Sequence, residues 1–307
     1  MDSYNLHSLQ VSKIAQEKKH DYQYIKILRK DLTHHGYTWK PDSVNFLSEN
    51  VTFNNEECEK GGLYVCETKH FFEWINLYDD VAWVSYASIP EEAEKYVFAT
   101  KVKASSVVLH GPLISLEDFI PLAVKSGANV HANDDEALQV ASYRGHAAVV
   151  ALLLKAGAYV HANDDEALQE ASEYGHAAVV KCLLKAGADI HVNDDYALRK
   201  ASEYGDAAVA ALLLKVGADV HANDDEALRV ASYNGHAAVV ELLLKAGAYV
   251  HAKDGYALRV ASEYGHAAVV ELLLKAGAYV HANDDEALRT ASKYGDAAVV
   301  ELLKKYA

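Results

Sequence analysis

The 307-residue chain has few cysteines and no long hydrophobic run. Cys58, Cys66 and Cys182 are an odd number without a C-x-x-C motif, which argues against a disulfide framework and favours reduced thiols inside a cell. No stretch approaches the roughly 18 apolar residues of a membrane-spanning helix, and residues 1–13 lack the apolar segment of a signal peptide. We therefore expect an intracellular protein that does not interact with membranes.

Basic residues are also scarce relative to acidic ones. The chain carries 29 Lys and Arg against 44 Asp and Glu, a formal net charge of −15. From Asn133 onward there are 26 acidic and 16 basic residues, so two thirds of the excess, −10, lies in this part. An acidic protein repels phosphate groups, so nucleic acid is excluded as the main partner, and a protein with a basic patch is favoured.

The chain does contain an internal repeat with a period of thirty residues. Its clearest copy is Asn223–Ala252, with the sequence NDDEALRVASYNGHAAVVELLLKAGAYVHA. Fixed spacing of this kind is typical of a solenoid, in which each unit packs on its neighbours. The copies begin at Asn133, Asn163, Asn193, Asn223, Lys253 and Asn283.

Each unit predicts a pair of short helices. A first helix beginning near Glu226 places Ala227, Leu228 and Ala231 on one face, and a second runs from about Ala237 to Ala246. The Asp-Asp pair before the first helix is predicted to cap it, and Gly247 to end the second in a left-handed conformation. The segment 248–252 alternates in polarity and is predicted to be extended.

The unit resembles the ankyrin repeat. The string EALRVASYNGHAAVVELLLKAGAYVHA is similar to the family's T-P-L-H-x-A-A-x-x-G-H…V-V-x-L-L-L-x-x-G-A-D-V-N-A pattern, over about Ser115 to Ala307. Two departures are the missing proline at the first helix and a unit three residues shorter than the usual thirty-three. The shortening implies a stubby finger between consecutive helix pairs.

The amino-terminal third has a different character. Residues 1–111 contain all three tryptophans and five of the six phenylalanines, and the β-prone runs 22–28 and 81–89. Residues 70–78 are predicted to be a short helix, and 100–109 an edge strand. The fold class is thus an α+β amino-terminal domain, residues 1–112, followed by an all-α ankyrin-type solenoid, residues 113–307. The solenoid comprises a half-repeat, 115–132, and six thirty-residue repeats, the last truncated.

The amino-terminal domain also resembles a known group. The segments KILRKDLTHHGYTWKPDSVNF, GGLYVC, IPEEAEKYVF and KVKASSVVL are similar to the shared amino-terminal domain of ankyrin-repeat proteins from giant DNA viruses of the mimivirus group. The shortened repeat is similar to that group's as well. The resemblance implies a viral source and the cytoplasm of an infected host cell, and it implies no established activity.

Repeated histidines and aspartates suggest metal sites, but a structural role is the better hypothesis. One histidine recurs per unit, and successive copies stand about a repeat-width apart, too far to share one ion. A second set occupies the G-H turn and is replaced by Asp206 and Asp296, which suits a helix start. The Asp-Asp pairs lack the converging oxygens and glycine turn of a calcium loop. We therefore expect no metal and no cofactor. The first histidine set is His131, His161, His191, His221, His251 and His281; the second is His146, His176, His236 and His266.

An enzymatic alternative rests on the amino-terminal domain. His35-Gly36-Tyr37, with Tyr64 downstream, faintly resembles the H-G…G-x-Y-F pattern of ADP-ribosyltransferases, in which the histidine and a tyrosine hold NAD. No glutamate stands at a spacing that indicates the catalytic residue.

The predicted function is a non-enzymatic scaffold that presents an acidic, tyrosine-bearing concave ankyrin surface to a protein partner. In the ankyrin family, contact positions include the end of the first helix, just before the glycine. Each pair of residues there contains a tyrosine, which is a good interface anchor. The alternatives are an amino-terminal enzyme targeted by the repeats and a self-assembling structural protein. The predicted partner-binding residues are Tyr143, Arg144, Glu173, Tyr174, Glu203, Tyr204, Tyr233, Asn234, Glu263, Tyr264, Lys293 and Tyr294.

Overall fold

A computed structural model describes residues 24–29, 33–34, 37–38, 44–46, 63–74, 81–93, 95–99, 101–104, 106–294 and 297–307. The chain divides into two compact units. The amino-terminal unit comprises Met1–Val140 and Ala151–Tyr159, and the carboxy-terminal unit comprises Ala141–Val150 and Val160–Ala307. The predicted His35 and Gly36 lie outside the described residues.

The described residues of the amino-terminal unit form three antiparallel sheets. The largest has the strand order β1-β6-β9-β4, a second has the order β5-β8-β7, and β2 pairs with β3. The strands are β1 Tyr24–Arg29, β2 Thr33–His34, β3 Tyr37–Thr38, β4 Val44–Phe46, β5 Leu63–Val65, β6 Val81–Ser88, β7 Lys95–Val97, β8 Val102–Ala104 and β9 Ser106–Ser115.

The predicted strands at 22–28 and 81–89 are confirmed as β1 and β6. The prediction of one edge strand over 100–109 is wrong, because this stretch contributes to two strands that are both interior to their sheets. All three residues of β8 are buried, so both of its faces are covered. Alternation in the sequence therefore did not reflect a solvent-facing side. In the described part of the predicted helix at 70–78, a 3₁₀ turn, Thr68–His70, is followed by α1, Phe71–Trp74, and residues 75–78 lie outside the described residues.

The two larger sheets bury a common apolar cluster. Antiparallel pairing places Tyr24 opposite Ala87, and Ala87 opposite Leu109, on one face of the first sheet. Val65 and Val102, which pair across the second sheet, belong to the same cluster. Contact between these faces is what holds the α+β unit together.

A single helix, α2 (Leu116–Lys125), continues directly from β9. The hydroxyl of Ser115 accepts a hydrogen bond from the Asp118 N–H at 3.1 Å and so caps the amino-terminal end of α2. The fully buried Phe119 of α2 packs edge-on against Phe71 of α1, with ring centroids 5.0 Å apart, and lies 6.2 Å from the ring of Tyr86. The half-repeat thus packs on the amino-terminal sheet instead of on a partner helix.

Six helix pairs follow. In the copy at Asn223, the side chains of Leu228 and Ala231 are fully buried, as the periodicity predicted, and so are Val239, Val240 and Leu243 of the second helix. Burial of an aliphatic side chain of this size stabilises the fold by about 1.5–3 kcal/mol, so each pair depends on its neighbours. The pairs are α3 Glu136–Tyr143 and α4 Ala147–Lys155; α5 Ala162–Glu173 and α6 Ala177–Lys185; α7 Val192–Tyr204 and α8 Ala207–Lys215; α9 Ala222–Tyr233 and α10 Ala237–Lys245; α11 Ala252–Glu263 and α12 Ala267–Lys275; α13 Ala282–Tyr294 and α14 Ala297–Tyr306.

The connections between pairs are turns, and the predicted extended segment at 248–252 is wrong. Three consecutive residues at the start of each first helix (just before it in α3) adopt left-handed, non-helical backbone angles; in the copy at Asn223, φ is 52°, 58° and 55° at Asn223, Asp224 and Asp225. Asn and Asp tolerate this region better than other non-glycine residues, which explains the N-D-D sequence. We call these three residues the finger turn. No strand forms in the fingers of the described residues 116–294, consistent with the predicted stubby finger.

Candidate interaction surface

The six tyrosines of the predicted surface lie at equivalent places in the carboxy-terminal unit. Each stands at the end of the first helix of a pair, next to the turn that leads to the second helix. All are between 42% and 62% exposed, although the helices that carry them are buried on the opposite face. We call this set the tyrosine ladder: Tyr143, Tyr174, Tyr204, Tyr233, Tyr264 and Tyr294.

Two pairs of ladder tyrosines are in contact. Tyr143 and Tyr174 meet edge to face with centroids 4.5 Å apart, and Tyr233 and Tyr264 do so at 4.8 Å. In both cases the first tyrosine occupies the earlier position of its residue pair and the second tyrosine the later position in the next repeat. The shift of tyrosine between adjacent positions therefore brings tyrosine rings of neighbouring repeats into contact. Each ring keeps a hydroxyl group that can form hydrogen bonds.

The other members of the predicted residue pairs connect neighbouring repeats. The carboxylate of Glu173 accepts hydrogen bonds from the hydroxyls of Tyr196 at 3.3 Å and Tyr204 at 3.4 Å. The Asn234 amide donates to the Glu203 carbonyl at 3.0 Å. These bonds between neighbouring repeats hold side chains of the exposed face in place in the unbound protein.

Basic side chains of the ladder face pack on tyrosine rings. Lys200 lies 5.5 Å from the Tyr196 centroid and 5.7 Å from that of Tyr204, while its Nζ donates to Glu203 at 2.8 Å. Arg259 lies 4.7 Å from the Tyr256 ring. Tyr196 and Tyr256 were not among the predicted surface residues. Their signal in the sequence is that they replace the glutamate of the Glu-Ala-Leu motif.

A cavity of about 310 Å³ opens on this face between α7, α9 and α11. Its wall combines two carboxylates, a guanidinium, an amide and two phenol rings, a mixture suited to one polar side chain of a partner. The lining residues are Glu203, Glu226, Arg229, Val230, Tyr233, Asn234 and Tyr256.

Helix α5 is the most acidic part of the ladder face. It carries Glu166, Glu170 and Glu173, and it has Gln169 where the later copies have arginine. Burial raises the pKa of the Glu170 carboxyl, and the nearby charges of Glu173 and Glu166 raise it further. These carboxylates repel one another, and a cation beside them would relieve that repulsion.

Five of the six once-per-repeat histidines, all except His251, pair with the last aspartate of the finger turn. The Asp195 carboxylate accepts from His191 Nδ1 at 3.2 Å and from the backbone N–H of Asp219 at 2.7 Å. We call this arrangement, which joins one finger to the next, the finger latch. It recurs with N–H to carboxylate distances of 2.6–2.9 Å, and its aspartates are only 3–5% exposed. The four latches are His131–Asp135–Tyr159, His161–Asp165–Asp189, His191–Asp195–Asp219 and His221–Asp225–Tyr249.

The prediction that the Asp-Asp pairs cap their own helices is therefore wrong for the second aspartate. In the copies at Asn163, Asn193 and Asn223, the carboxylate of the second aspartate accepts a backbone N–H of the following finger. The left-handed turn points the second carboxylate at the following finger instead.

The histidines of the G-H turn form a second link between repeats. His176 Nε2 donates to the Tyr143 carbonyl at 2.8 Å, and the imidazole covers Gly145, where a Cβ atom would lie 2.7 Å from Nδ1. His236 and His266 make the same bond to the preceding repeat. Gly145 has a φ of 74°, so both its conformation and this close approach require glycine.

The residues of the enzymatic alternative are only partly covered by the structure. Tyr64 lies in β5, where its backbone pairs with Lys103 of β8. Elsewhere in this unit, burial lowers the pKa of Lys26 to about 7 and raises the pKa of the neighbouring Cys66 to about 12. Within the described residues, no group of three or more His, Cys, Asp or Glu side chains is placed to hold a metal ion.

Comparisons with known proteins cover the repeats. A family model described as ankyrin repeats in three copies matches residues 115–194 and 168–254, and a model of a single ankyrin repeat matches residues 256–285, together more than half of the chain. The crystal structure of the human ASB11 ankyrin repeat domain is 28% identical with a TM-score of 0.50, over 55% of this chain and 82% of that chain. No curated protein sequence matches the chain. In the described part of the chain, no helix has the length and apolar character needed to cross a bilayer.

Proposed function

The chain belongs to the ankyrin-repeat family, and from that premise we propose that its tyrosine ladder binds a partner protein with a basic surface. Ankyrin repeats mediate protein–protein interactions, so the repeats form an interaction scaffold. The single observation that supports the ladder as the contact surface is one exposed tyrosine at one of two adjacent positions in all six repeats. Partly exposed aromatic side chains on an ordered helical face are typical of interface anchors.

The charge of the partner follows from a comparison between repeats. In the third repeat, Lys200 supplies a cation between Tyr196, Tyr204 and Glu203. The equivalent residue in the second repeat is Glu170, so the surface at Tyr174 carries carboxylates where the next repeat carries its own cation. A lysine or arginine of the partner would occupy this place and gain both ion pairing and contact with an aromatic ring.

The proposed contact set is unchanged from the sequence prediction. It combines the tyrosine ladder with the residue beside each tyrosine, and the bonds of Glu173 and Asn234 to neighbouring repeats support its ordered state. The residues are Tyr143, Arg144, Glu173, Tyr174, Glu203, Tyr204, Tyr233, Asn234, Glu263, Tyr264, Lys293 and Tyr294.

The amino-terminal part and the source enter the proposal through resemblance. We place a domain boundary at residues 112 and 113 and assign residues 1–112 to the amino-terminal domain shared by giant-virus ankyrin proteins. On that resemblance the partner is a host or viral protein in the cytoplasm of an infected cell. No catalytic role, cofactor or nucleic acid is part of this proposal.

The test uses two sets of tyrosines in the full-length protein. Tyr204, Tyr233 and Tyr264 are changed together to alanine, and Tyr159, Tyr249 and Tyr279, which are 56–60% exposed on the finger loops, are changed together as the matched control. Binding partners are identified by capture and mass spectrometry, and their affinities are measured by calorimetry. We expect the ladder variant to lose about 2 kcal/mol or more of binding free energy per anchor tyrosine and the control to bind normally.

A charge swap tests the basic partner separately. Glu170→Lys copies the third repeat and should weaken binding of a short Lys- and Arg-rich peptide, whereas Lys200→Glu should strengthen it; both effects should diminish with salt. Equal binding by all variants would contradict the proposed surface.

If a His35→Ala, Tyr64→Ala double variant abolished an NAD-dependent modification of the partner, the enzymatic alternative would replace the scaffold. Concentration-dependent sedimentation of the isolated protein would favour self-assembly.

A further inference from the structure

One of the six finger turns differs in sequence from the others. It reads Lys253-Asp254-Gly255, whereas the other five read Asn-Asp-Asp. Gly255 keeps the left-handed backbone of the third position, with a φ of 73°. The shape of the turn is therefore retained while the carboxylate that forms the finger latch is missing.

The rest of the latch is present at this junction. His251 stands four residues before Gly255, at the spacing that His221 has from Asp225. Tyr279 follows Gly255 by twenty-four residues, at the spacing that Tyr249 has from Asp225. The one group missing from the latch is the carboxylate that would accept hydrogen bonds from the imidazole and the backbone N–H. The natural sequence therefore resembles a variant from which this carboxylate has been removed.

Weaker contacts remain across the same junction. The Asn283 amide donates to the Asp254 carbonyl at 3.4 Å, and Arg259 pairs with Glu286 at 3.4 Å, with both side chains about 30% exposed. Helix α11 also packs on α13, and α12 on α14, as extensively as the equivalent helices at other junctions, so this junction differs from the others in its finger and not in its helix packing. An exposed ion pair contributes little to stability compared with a buried, charge-assisted hydrogen bond.

We propose that the junction between the helix pairs α11–α12 and α13–α14 is a built-in opening point, at which the last pair separates from the array while the preceding pairs stay closed. In a linear array, each interface contributes its own share of stability, so the weakest interface opens most often. Tyr294 lies beyond this junction, and opening therefore changes its position relative to Tyr264. A partner that contacts both tyrosines selects the closed form.

Hydrogen exchange of the full-length protein, followed by mass spectrometry, tests this proposal. We expect amides of α13 and α14 to exchange roughly tenfold or more faster than those of α9 and α10, which lie inside the latched region. Gly255→Asp should complete the fifth latch. A Cβ atom at position 255 would lie 3.6 Å from the Ala282 Cβ, an ordinary contact, and aspartate adopts the same conformation in the other fingers.

Gly255→Asp should slow exchange in α13 and α14 by roughly tenfold and leave α5 to α8 unchanged. Gly255→Ala is the control for the added Cβ atom and should not slow exchange. The latch also predicts coupling to His251: His251→Ala should remove part of the gain in the Gly255→Asp protein and have little effect in the natural sequence.

A further variant moves the missing latch to the preceding junction, between α9–α10 and α11–α12. Asp225→Gly combined with Gly255→Asp should make α11 to α14 exchange together as one segment, at a rate close to that of α13 and α14 in the natural protein. Equal exchange across α9 to α14 in the natural protein would overturn the proposal. So would slowing by Gly255→Asp that Gly255→Ala reproduces, or slowing that does not depend on His251.

Discussion

The finger latch at Asp195 allows a quantitative prediction for the stability of the repeat array. Its two carboxylate oxygens have separate partners: Oδ1 accepts the Asp219 N–H and Oδ2 the His191 Nδ1. Asp195 is 4% exposed and has a φ of 54°. Asp195→Gly removes the carboxylate at a backbone conformation that glycine adopts freely.

The magnitude follows from the partners that are lost. A hydrogen bond to a charged acceptor contributes about 1.5–3 kcal/mol, and leaving a partly buried N–H unsatisfied costs about 1–3 kcal/mol. The two terms overlap, so we expect Asp195→Gly to lower the free energy of unfolding by about 2–3 kcal/mol. Asp195→Ala should cost about 1 kcal/mol more, because its Cβ is disfavoured at positive φ.

Two milder variants separate the parts of the latch. Asp195→Asn keeps an oxygen for the Asp219 N–H and should cost less than about 1 kcal/mol. His191→Ala removes a side chain that is 58% exposed in its pair with Asp195, and should likewise cost under about 1 kcal/mol. Urea unfolding followed by circular dichroism would give the four values. The reasoning is refuted if Asp195→Gly is as stable as the natural protein, or if Asp195→Asn is as damaging as Asp195→Ala.

Three further predictions concern packing, charge and metals. Leu243→Ala should lower the free energy of unfolding by about 2–5 kcal/mol, because Leu243 is fully buried; an unchanged melting temperature would contradict stacking. Burial raises the pKa of the Asp206 carboxyl in the folded protein, so the fold is more stable when this carboxyl is protonated. That stability is lost as pH rises from the ordinary pKa of an aspartate to the raised pKa of Asp206. Asp206→His, which copies His176, should remove this pH dependence in melting experiments and add about 1 kcal/mol at neutral pH through a bond to the Glu173 carbonyl. Chelators should leave the melting temperature unchanged, and a stoichiometric ion that raises it would restore the histidines or aspartates as metal sites.

The boundaries of the repeat helices could be predicted closely from sequence. The second helix was expected over 237–246 and is Ala237–Lys245, and the buried face of the first helix at Ala227, Leu228 and Ala231 was identified. Helix pairs of this kind are encoded by local periodicity, with glycine at the turn, so the pattern is visible within each copy. The exposure of the ladder tyrosines follows from the same periodicity, because they stand off the buried stripe.

Tertiary structure alone decided what the remaining polar residues do. Asp195 looked like a helix cap because its nearest helix is adjacent in sequence, but the N–H that it accepts belongs to Asp219 in the next finger. The contact between Tyr233 and Tyr264 likewise depends on how one repeat is offset from the next. In the amino-terminal unit, β8 is interior because β5 and β7 cover its two edges. Local pattern fixes which residues are helical or buried, whereas hydrogen-bond partners distant in the chain are set only when whole elements pack together.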